Sequence, residues 1–182
     1  LYSVRSRLNL IAIRSGTRCN DDIRSRIGIS EAWHVEMRMT LYTDYALRML
    51  VYMATRREGN CKVSDVATAY GLSQNHLLKV AHGLRRCGFI ETTRGRMGGI
   101  RLARTPESIN LGTLVRLTEE DFALVECMQG DGCAISPACR LKGIVGEALD
   151  AYLAVFDKYT LADIIVNGRA LASLLDIDLR AA

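Results

Sequence analysis

From Met37 onward the apolar positions fall at helical spacing. Tyr45, Leu47, Leu50, Val51 and Ala54 recur at the steps of one helix face, which predicts a first helix opening at Thr43-Asp44 and running to about Arg57. Glu58-Gly59-Asn60 is a polar turn. Ser64-Asp65 then caps a short helix over 66–70, stopped by Gly71. Ser73 caps a third helix over 75–87, with Leu77, Leu78, Val80, Ala81 and Leu84 facing inward. Gly88 follows as the left-handed residue that closes a helix. Helix, glycine-containing turn and helix at this spacing is a helix-turn-helix.

Two short strand-like runs come next, 89–93 and 100–103, separated by Arg94-Gly-Arg-Met-Gly-Gly99. A hairpin with a glycine-rich, arginine-bearing tip directly after a recognition helix reads as a wing. Its tip glycines allow close approach to phosphates or the minor groove, and Arg94 and Arg96 supply charge. Pro106 ends the wing, and Asn110 caps a helix over 111–117 that runs into the acidic Glu119-Glu120-Asp121. After Pro137 the positions Leu141, Ile144, Val145, Ala148, Leu149, Tyr152, Val155, Phe156 and Tyr159 repeat at three- and four-residue steps. They predict a helix of roughly 22 residues, about 33 Å long, with one continuous apolar stripe. A small winged domain cannot cover that stripe alone, so pairing with the same helix of a second subunit is expected. A two-fold dimer also suits a palindromic operator. A further short helix falls around 161–166.

The expected fold class is therefore mainly α with a small β-hairpin wing: a winged helix-turn-helix domain plus a long dimerisation helix. The expected division is a DNA-binding domain over 37–105, a cysteine loop and dimerisation helix over 106–166, and a tail over 167–182. Residues 1–36 begin with Leu and hold no sustained periodicity, and they read as a poorly ordered extension ahead of a start at Met37.

Charge sharpens this division. The net +4 of the 182 residues hides a basic stretch over 37–105, with 12 Lys/Arg against 4 Asp/Glu, and an acidic one over 106–182, with 6 against 12. A basic half joined to an acidic half points to a polyanion-binding domain with a separate sensing or assembly part. No run of 18 apolar residues exists, so no transmembrane helix is indicated. The apolar run 8–13 is too short for a signal peptide, and Asp21-Asp22 argues against a transit peptide. With six cysteines and no secretory signal, a reduced, cytoplasmic protein is expected. Cys19, Cys61 and Cys87 are scattered and read as buried or idle thiols. No paired acid/base constellation of an enzyme is visible.

The remaining chemistry lies in Cys127, Cys133 and Cys139, evenly spaced with five residues between neighbours. Gly130, Asp131, Gly132, Ser136 and Pro137 fill the intervals and favour turns. Six residues turn a helical side chain through about 240°, so a loop wrapped round a centre, not one helix, would make the three sulfurs converge. Ser136-Pro137 predicts the N-cap and first residue of the next helix, with Cys139 in its first turn, where the dipole favours a thiolate. Structural zinc usually takes closer cysteine pairs and four protein ligands. Here no fourth cysteine is near, and no histidine lies within forty residues of Cys133. Three cysteines with a weaker fourth ligand fit iron–sulfur chemistry better, and zinc and redox thiols remain open.

Met37-Arg-Met-Thr-Leu-Tyr-Thr-Asp44-Tyr-Ala-Leu-Arg, Ser73-Gln-Asn-His-Leu-Leu-Lys-Val, Gly95-Arg-Met-Gly-Gly-Ile-Arg-Leu-Ala and the three cysteines resemble the bacterial iron–sulfur winged-helix repressors across nearly all of 37–166. Cys139-Arg-Leu-Lys-Gly and Tyr159-Thr-Leu-Ala-Asp are most similar to the nitric-oxide-sensing members. The resemblance implies a [2Fe-2S] or [4Fe-4S] cluster on Cys127, Cys133 and Cys139. It implies a homodimer that represses from a palindromic double-stranded operator and releases it when nitric oxide nitrosylates the cluster. Related branches carry a ligating histidine three residues past the last cysteine, where this chain has Lys142, which cannot ligate while protonated. In nitric-oxide-sensing members an aspartate at the start of the first helix completes the cluster from the other subunit, and Asp44 occupies that position. On residue chemistry alone Asp44 is a helix-start carboxylate favoured by the macrodipole.

Ser73, Gln74, Asn75, His76 and Lys79 are the candidate readers on the recognition helix, with Arg94, Arg96 and Arg101 on the wing; His82 reads as a plain surface residue. Two competing readings remain: an iron- or cluster-status regulator of the same family, and, from another class, an iron–sulfur electron carrier or thiol redox protein. An electron carrier has no use for a basic wing or a long dimer helix.

Overall fold

The computed structural model describes residues 39–56, 59–95, 98–130 and 133–177, all within the compact unit Met39–Ala182. The expectations for residues 1–36, for Cys19, for Arg96 and for Asp131-Gly132 lie outside the described residues.

Helix α1, Leu41–Arg56, is the element on which most of the other helices pack. It opens two residues before the predicted Thr43, because Thr40 is the cap: its Oγ1 accepts the Thr43 N–H at 3.3 Å. Asp44 then sits in the first turn and Arg56 in the last, both favourable to the helix dipole. Thr43, Ala46, Met49, Leu50, Tyr52, Met53, Ala54 and Thr55 are all buried. A helix covered on nearly all sides carries no single stripe, which is why Met49 and Met53 belong to the core although the sequence periodicity passed over them.

Helix α2, Val63–Tyr70, starts earlier than predicted, since Asp65 Oδ2 reaches back to the Lys62 N–H at 2.8 Å. Gly71, at φ 63°, ends it. After Ser73 comes α3, Gln74–Arg86, seated on α1 and α2 through Leu77, Val80, Ala81 and Leu84. Its end is closed by Gly88 at φ 72°, with Gly88 N–H to Arg85 O and Phe89 N–H to Leu84 O, both 3.0 Å. This is the paired bonding of a Schellman motif. Leu78, expected inward, is 48% exposed.

Strands β1, Ile90–Thr93, and β2, Gly99–Leu102, pair antiparallel with Ile90 opposite Leu102 and Thr93 opposite Gly99. An unpredicted third rung joins them. Cys61 and Ile100 exchange backbone hydrogen bonds of 2.9 and 2.8 Å, hooking the hairpin to the segment between α1 and α2. The hairpin glycines are therefore required by the chain itself. A Cβ on Gly99 would lie 2.5 Å from the Cys61 carbonyl, and one on Gly98 would strike the Thr93 carbonyl.

Helix α4, Leu111–Thr118, is capped as predicted, with Thr113 N–H donating to Asn110 Oδ1 at 2.9 Å. Helix α5 spans Leu141–Phe156, 16 residues rather than the predicted 22. Its start is later because Ser136 and Pro137 lie in a turn, where Cys139 N–H reaches Ile135 O at 2.9 Å. Its end is earlier because Leu111 N–H captures the Tyr159 carbonyl at 3.0 Å and draws the chain into an extended bridge between Asn110 and Thr160. Arg116 also holds Asp157 through Nη2 to Oδ2 at 2.9 Å. Helix α6, Leu161–Ile164, is shorter than expected, and α7, Gly168–Leu174, was not anticipated; both pack on α1. Of α5 only Leu153 is buried, while Leu141, Ile144, Tyr152 and Val155 are exposed. No described helix is long and apolar enough to cross a membrane.

Candidate nucleic-acid interface and metal centre

Burying Leu77, Val80, Ala81 and Leu84 turns the opposite side of α3 to solvent. Gln74, Asn75, His76 and Lys79 are all exposed there, together with His82, Arg85 and Arg86. Ser73 is exposed at the cap position, and its hydroxyl makes no cap hydrogen bond. His76 stacks on Tyr45 of α1, with ring centroids 6.4 Å apart and planes at 26°. Tyr45 was missed as a site residue because nothing in local spacing links it to a helix thirty residues on.

On the hairpin Arg94 is exposed at the end of β1. Arg101 is exposed as well, but its guanidinium lies on the cross-strand neighbour Glu91, with Nε and Nη2 at 3.1 and 2.8 Å from Oε2. Arg104 covers the Phe89 ring at 5.8 Å.

The cysteine loop leaves α4 at Glu119. Asp121 organises its first half, accepting from the Ala123 N–H at 2.6 Å and from Gln129 Nε2 at 2.5 Å. Cys127 lies between these anchors in a 3-10 turn, Glu126–Met128. Cys133 is exposed, and Cys127 and Cys139 are half-buried; all three are free thiols. Cys139 stands two residues ahead of α5, not inside its first turn, and its Sγ accepts the Leu141 N–H at 3.5 Å. That contact still lends the sulfur the donor end of a helix.

Asp44 is half-exposed and engaged within its own helix. Arg48 Nε donates to Oδ1 at 3.0 Å and Nη2 lies 2.9 Å from Oδ2, while the same guanidinium covers the Tyr70 ring at 5.8 Å. The Asp44 bond raises the Arg48 pKa, and burial raises that of Tyr70. Among the described residues no three His, Cys, Asp or Glu side chains gather as a metal-holding group. Within this one chain the structure therefore does not gather the three sulfurs into a metal-holding group. The donor chemistry nevertheless suits an iron–sulfur group: three free, solvent-reachable thiols on one loop, one of them facing a helix N–H.

The sequence pattern of the Rrf2 family, described as "Iron-dependent Transcriptional regulator", matches residues 39–167. The HTH-type transcriptional regulator NsrR of Bacillus licheniformis is 49% identical over 142 residues, covering 76% of this chain and 99% of that protein. The regulator of the same name from Halalkalibacterium halodurans is 48% identical over 144 residues, covering 78% of this chain and 99% of that protein. Among solved structures, CymR, the global cysteine regulator of B. subtilis, superposes with a TM-score of 0.56 at 25% identity, over 71% of this chain and 96% of that one. IscR of T. potens shares the fold at a TM-score of 0.59 and 23% identity, over 72% and 88% of the two chains. These relatives are named as transcriptional regulators, a non-enzymatic role. This chain, with its exposed helix-turn-helix, its hairpin wing and its match over 39–167, belongs to the Rrf2 family of transcriptional regulators and is of the NsrR type.

Proposed function

We propose that this chain is a dimeric transcriptional repressor that binds a palindromic operator and releases it in response to nitric oxide. The observation that carries the reading is the set of three free thiols, Cys127, Cys133 and Cys139, on one solvent-reachable loop of a helix-turn-helix protein. Those thiols are the residues that would hold an iron–sulfur cluster, with Asp44 of the partner subunit as the fourth, weaker ligand. When bound, that group supplies iron with an affinity for nitric oxide.

The rest falls to the chain. Gln74, Asn75, His76 and Lys79 enter the major groove from the first turns of α3, and Arg94 and Arg96 hold the backbone from the wing. The exposed stripe Leu141, Ile144, Tyr152 and Val155 pairs with its copy in a second subunit, which fixes the separation of the two reading heads. Asp44 has two partners to choose between, the loop of the other subunit and the Arg48 beside it. On the loop it ties one subunit's sensor to the other's reading head. On Arg48 it leaves them independent. A tenfold loss of affinity needs only about 1.4 kcal/mol of difference between the two arrangements, which one ligand bond supplies.

A second reading, regulation by iron supply, is favoured by the family's description as iron-dependent. Titrating nitric oxide anaerobically into iron-loaded protein, while following visible absorbance and binding to palindromic promoter DNA, separates the two. Parallel loss of colour and DNA binding supports nitric oxide sensing. Release on iron removal alone, with nitric oxide inert, supports iron sensing. A colourless zinc protein would overturn both.

A further inference from the structure

Leu78 stands out on α3. The exposed positions of that helix are Gln74, Asn75, His76, Leu78, Lys79, His82, Arg85 and Arg86, and Leu78 alone among them is aliphatic. It is 48% exposed although the helical period would let it face inward. Packing decides the matter. Tyr42 of α1 is seated over Gly83, its hydroxyl in the space a Cβ would need, so α1 covers the Gly83 flank of α3 beside the buried Leu77, Val80, Ala81 and Leu84. Leu78 is left outside that contact. Of its four helix neighbours at three and four residues' distance, Ala81 is buried in the contact with the core, while Gln74, Asn75 and His82 are exposed and able to hydrogen-bond.

An isolated surface leucine needs no explanation by itself. A leucine set among hydrogen-bonding side chains in the second turn of a helix that enters the major groove has a definite complement there. The only apolar group on a base edge in that groove is the thymine 5-methyl, and aliphatic side chains read it by contact. We propose that Leu78 is a specificity-determining residue that packs against a thymine methyl in each half-site, while Gln74 and Asn75 hydrogen-bond adjacent base edges. This rests on the reading that α3 enters the groove, and it adds a base preference which that reading does not contain.

The test removes the methyl and nothing else. A high-affinity duplex is selected from a random-sequence pool with the anaerobically purified full chain, and each thymine is then replaced singly by uracil. At one position per half-site the wild-type chain should lose about three- to fivefold in affinity, the transfer value of one methyl group. Leu78→Ala should bind the thymine and uracil duplexes equally, and Leu78→Gln should lose its preference for T·A at that position while keeping it elsewhere. The proposal is overturned if no uracil replacement weakens the wild-type chain, or if Leu78→Ala keeps the same uracil penalty. Failure of the underlying reading looks different: the pool yields no enriched duplex, or Asn75→Ala and Lys79→Ala bind as tightly as the wild type.

Discussion

Thr43 and Thr118 share a hydrogen bond between two buried hydroxyls, 2.9 Å long, across 75 residues of chain. The Thr118 hydroxyl donates in turn to the Leu114 carbonyl at 2.9 Å, and beside them the Thr40 N–H donates to Glu119 Oε1 at 3.0 Å. The first turn of α1, which carries Asp44, is thereby fastened to the last turn of α4, where the cysteine loop begins. The start of one candidate ligand's helix and the root of the other ligands' loop form one piece of structure.

The two hydroxyls are not equivalent, and substitution should tell them apart. Thr118→Val removes the acceptor and leaves a buried donor on Thr43, which costs about 1–3 kcal/mol. Thr43→Val leaves Thr118 bonded to Leu114 and costs about 0.5–1.5 kcal/mol. Urea unfolding of the two variants should rank them in that order. Equal and negligible losses would mean that the pair does not hold the junction together.

The wing should be intolerant of a side chain at Gly99. A Cβ there meets the Cys61 carbonyl at 2.5 Å, and that oxygen is backbone already bonded to the Ile100 N–H. Gly99→Ala must open the third rung, at a cost of about 1–3 kcal/mol by the usual scale of overpacking. Gly130→Ala, which meets nothing within 4 Å, is the control. Amide exchange at Ile100 should accelerate in the first variant and stay at its wild-type rate in the second.

Much of this fold is written in local pattern. The α3 cap at Ser73, the Gly71 and Gly88 stops, the Asn110 cap and the hairpin bounds depend on neighbours a few residues away, and they stand within a residue or two of expectation. What escaped depends on partners far along the chain. The third rung at Cys61 needs Ile100, the Tyr45 stack needs His76, and the early end of α5 needs Leu111 to take the Tyr159 carbonyl. Leu78 escaped for the same reason, since the flank of α3 that is covered depends on distant partners, among them Tyr42 seated over Gly83. Even spacing of three cysteines picked out a candidate donor set, yet spacing holds no information on whether the loop draws its sulfurs together.

Acid should loosen the junction between α5 and α6. Hydrogen bonding to Arg116 holds the Asp157 carboxyl below its usual range, and the Thr160 N–H and hydroxyl do the same for Asp163. Both groups release protons more readily in the folded chain, so their stabilisation is present above the ordinary carboxylate range and lost as pH falls through the lowered folded values. Urea unfolding followed from pH 6 down to pH 3 should show a shallower decline for Asp157→Asn and Asp163→Asn than for the wild type. An identical pH slope in all three would rule the two carboxyls out.

Cysteine reactivity offers the most direct look at the loop. Burial pushes the Cys61 thiol up to about 11, so at pH 8 it is neutral and covered, whereas Cys127, Cys133 and Cys139 are accessible. Only a thiolate is alkylated at a useful rate. In metal-stripped protein, iodoacetamide followed by peptide mass analysis should therefore mark the three loop cysteines and leave Cys61 untouched until the chain unfolds. Reconstitution with iron and sulfide then separates the possible chemistries. Ligands of one centre lose reactivity together and regain it together when a chelator strips the metal. A disulfide would protect two and spare the third, indifferent to chelator but sensitive to reductant. Independent redox thiols would lose none. Protection of all three in step, with Cys61 unchanged throughout, is the outcome expected if this loop closes around a single iron–sulfur group.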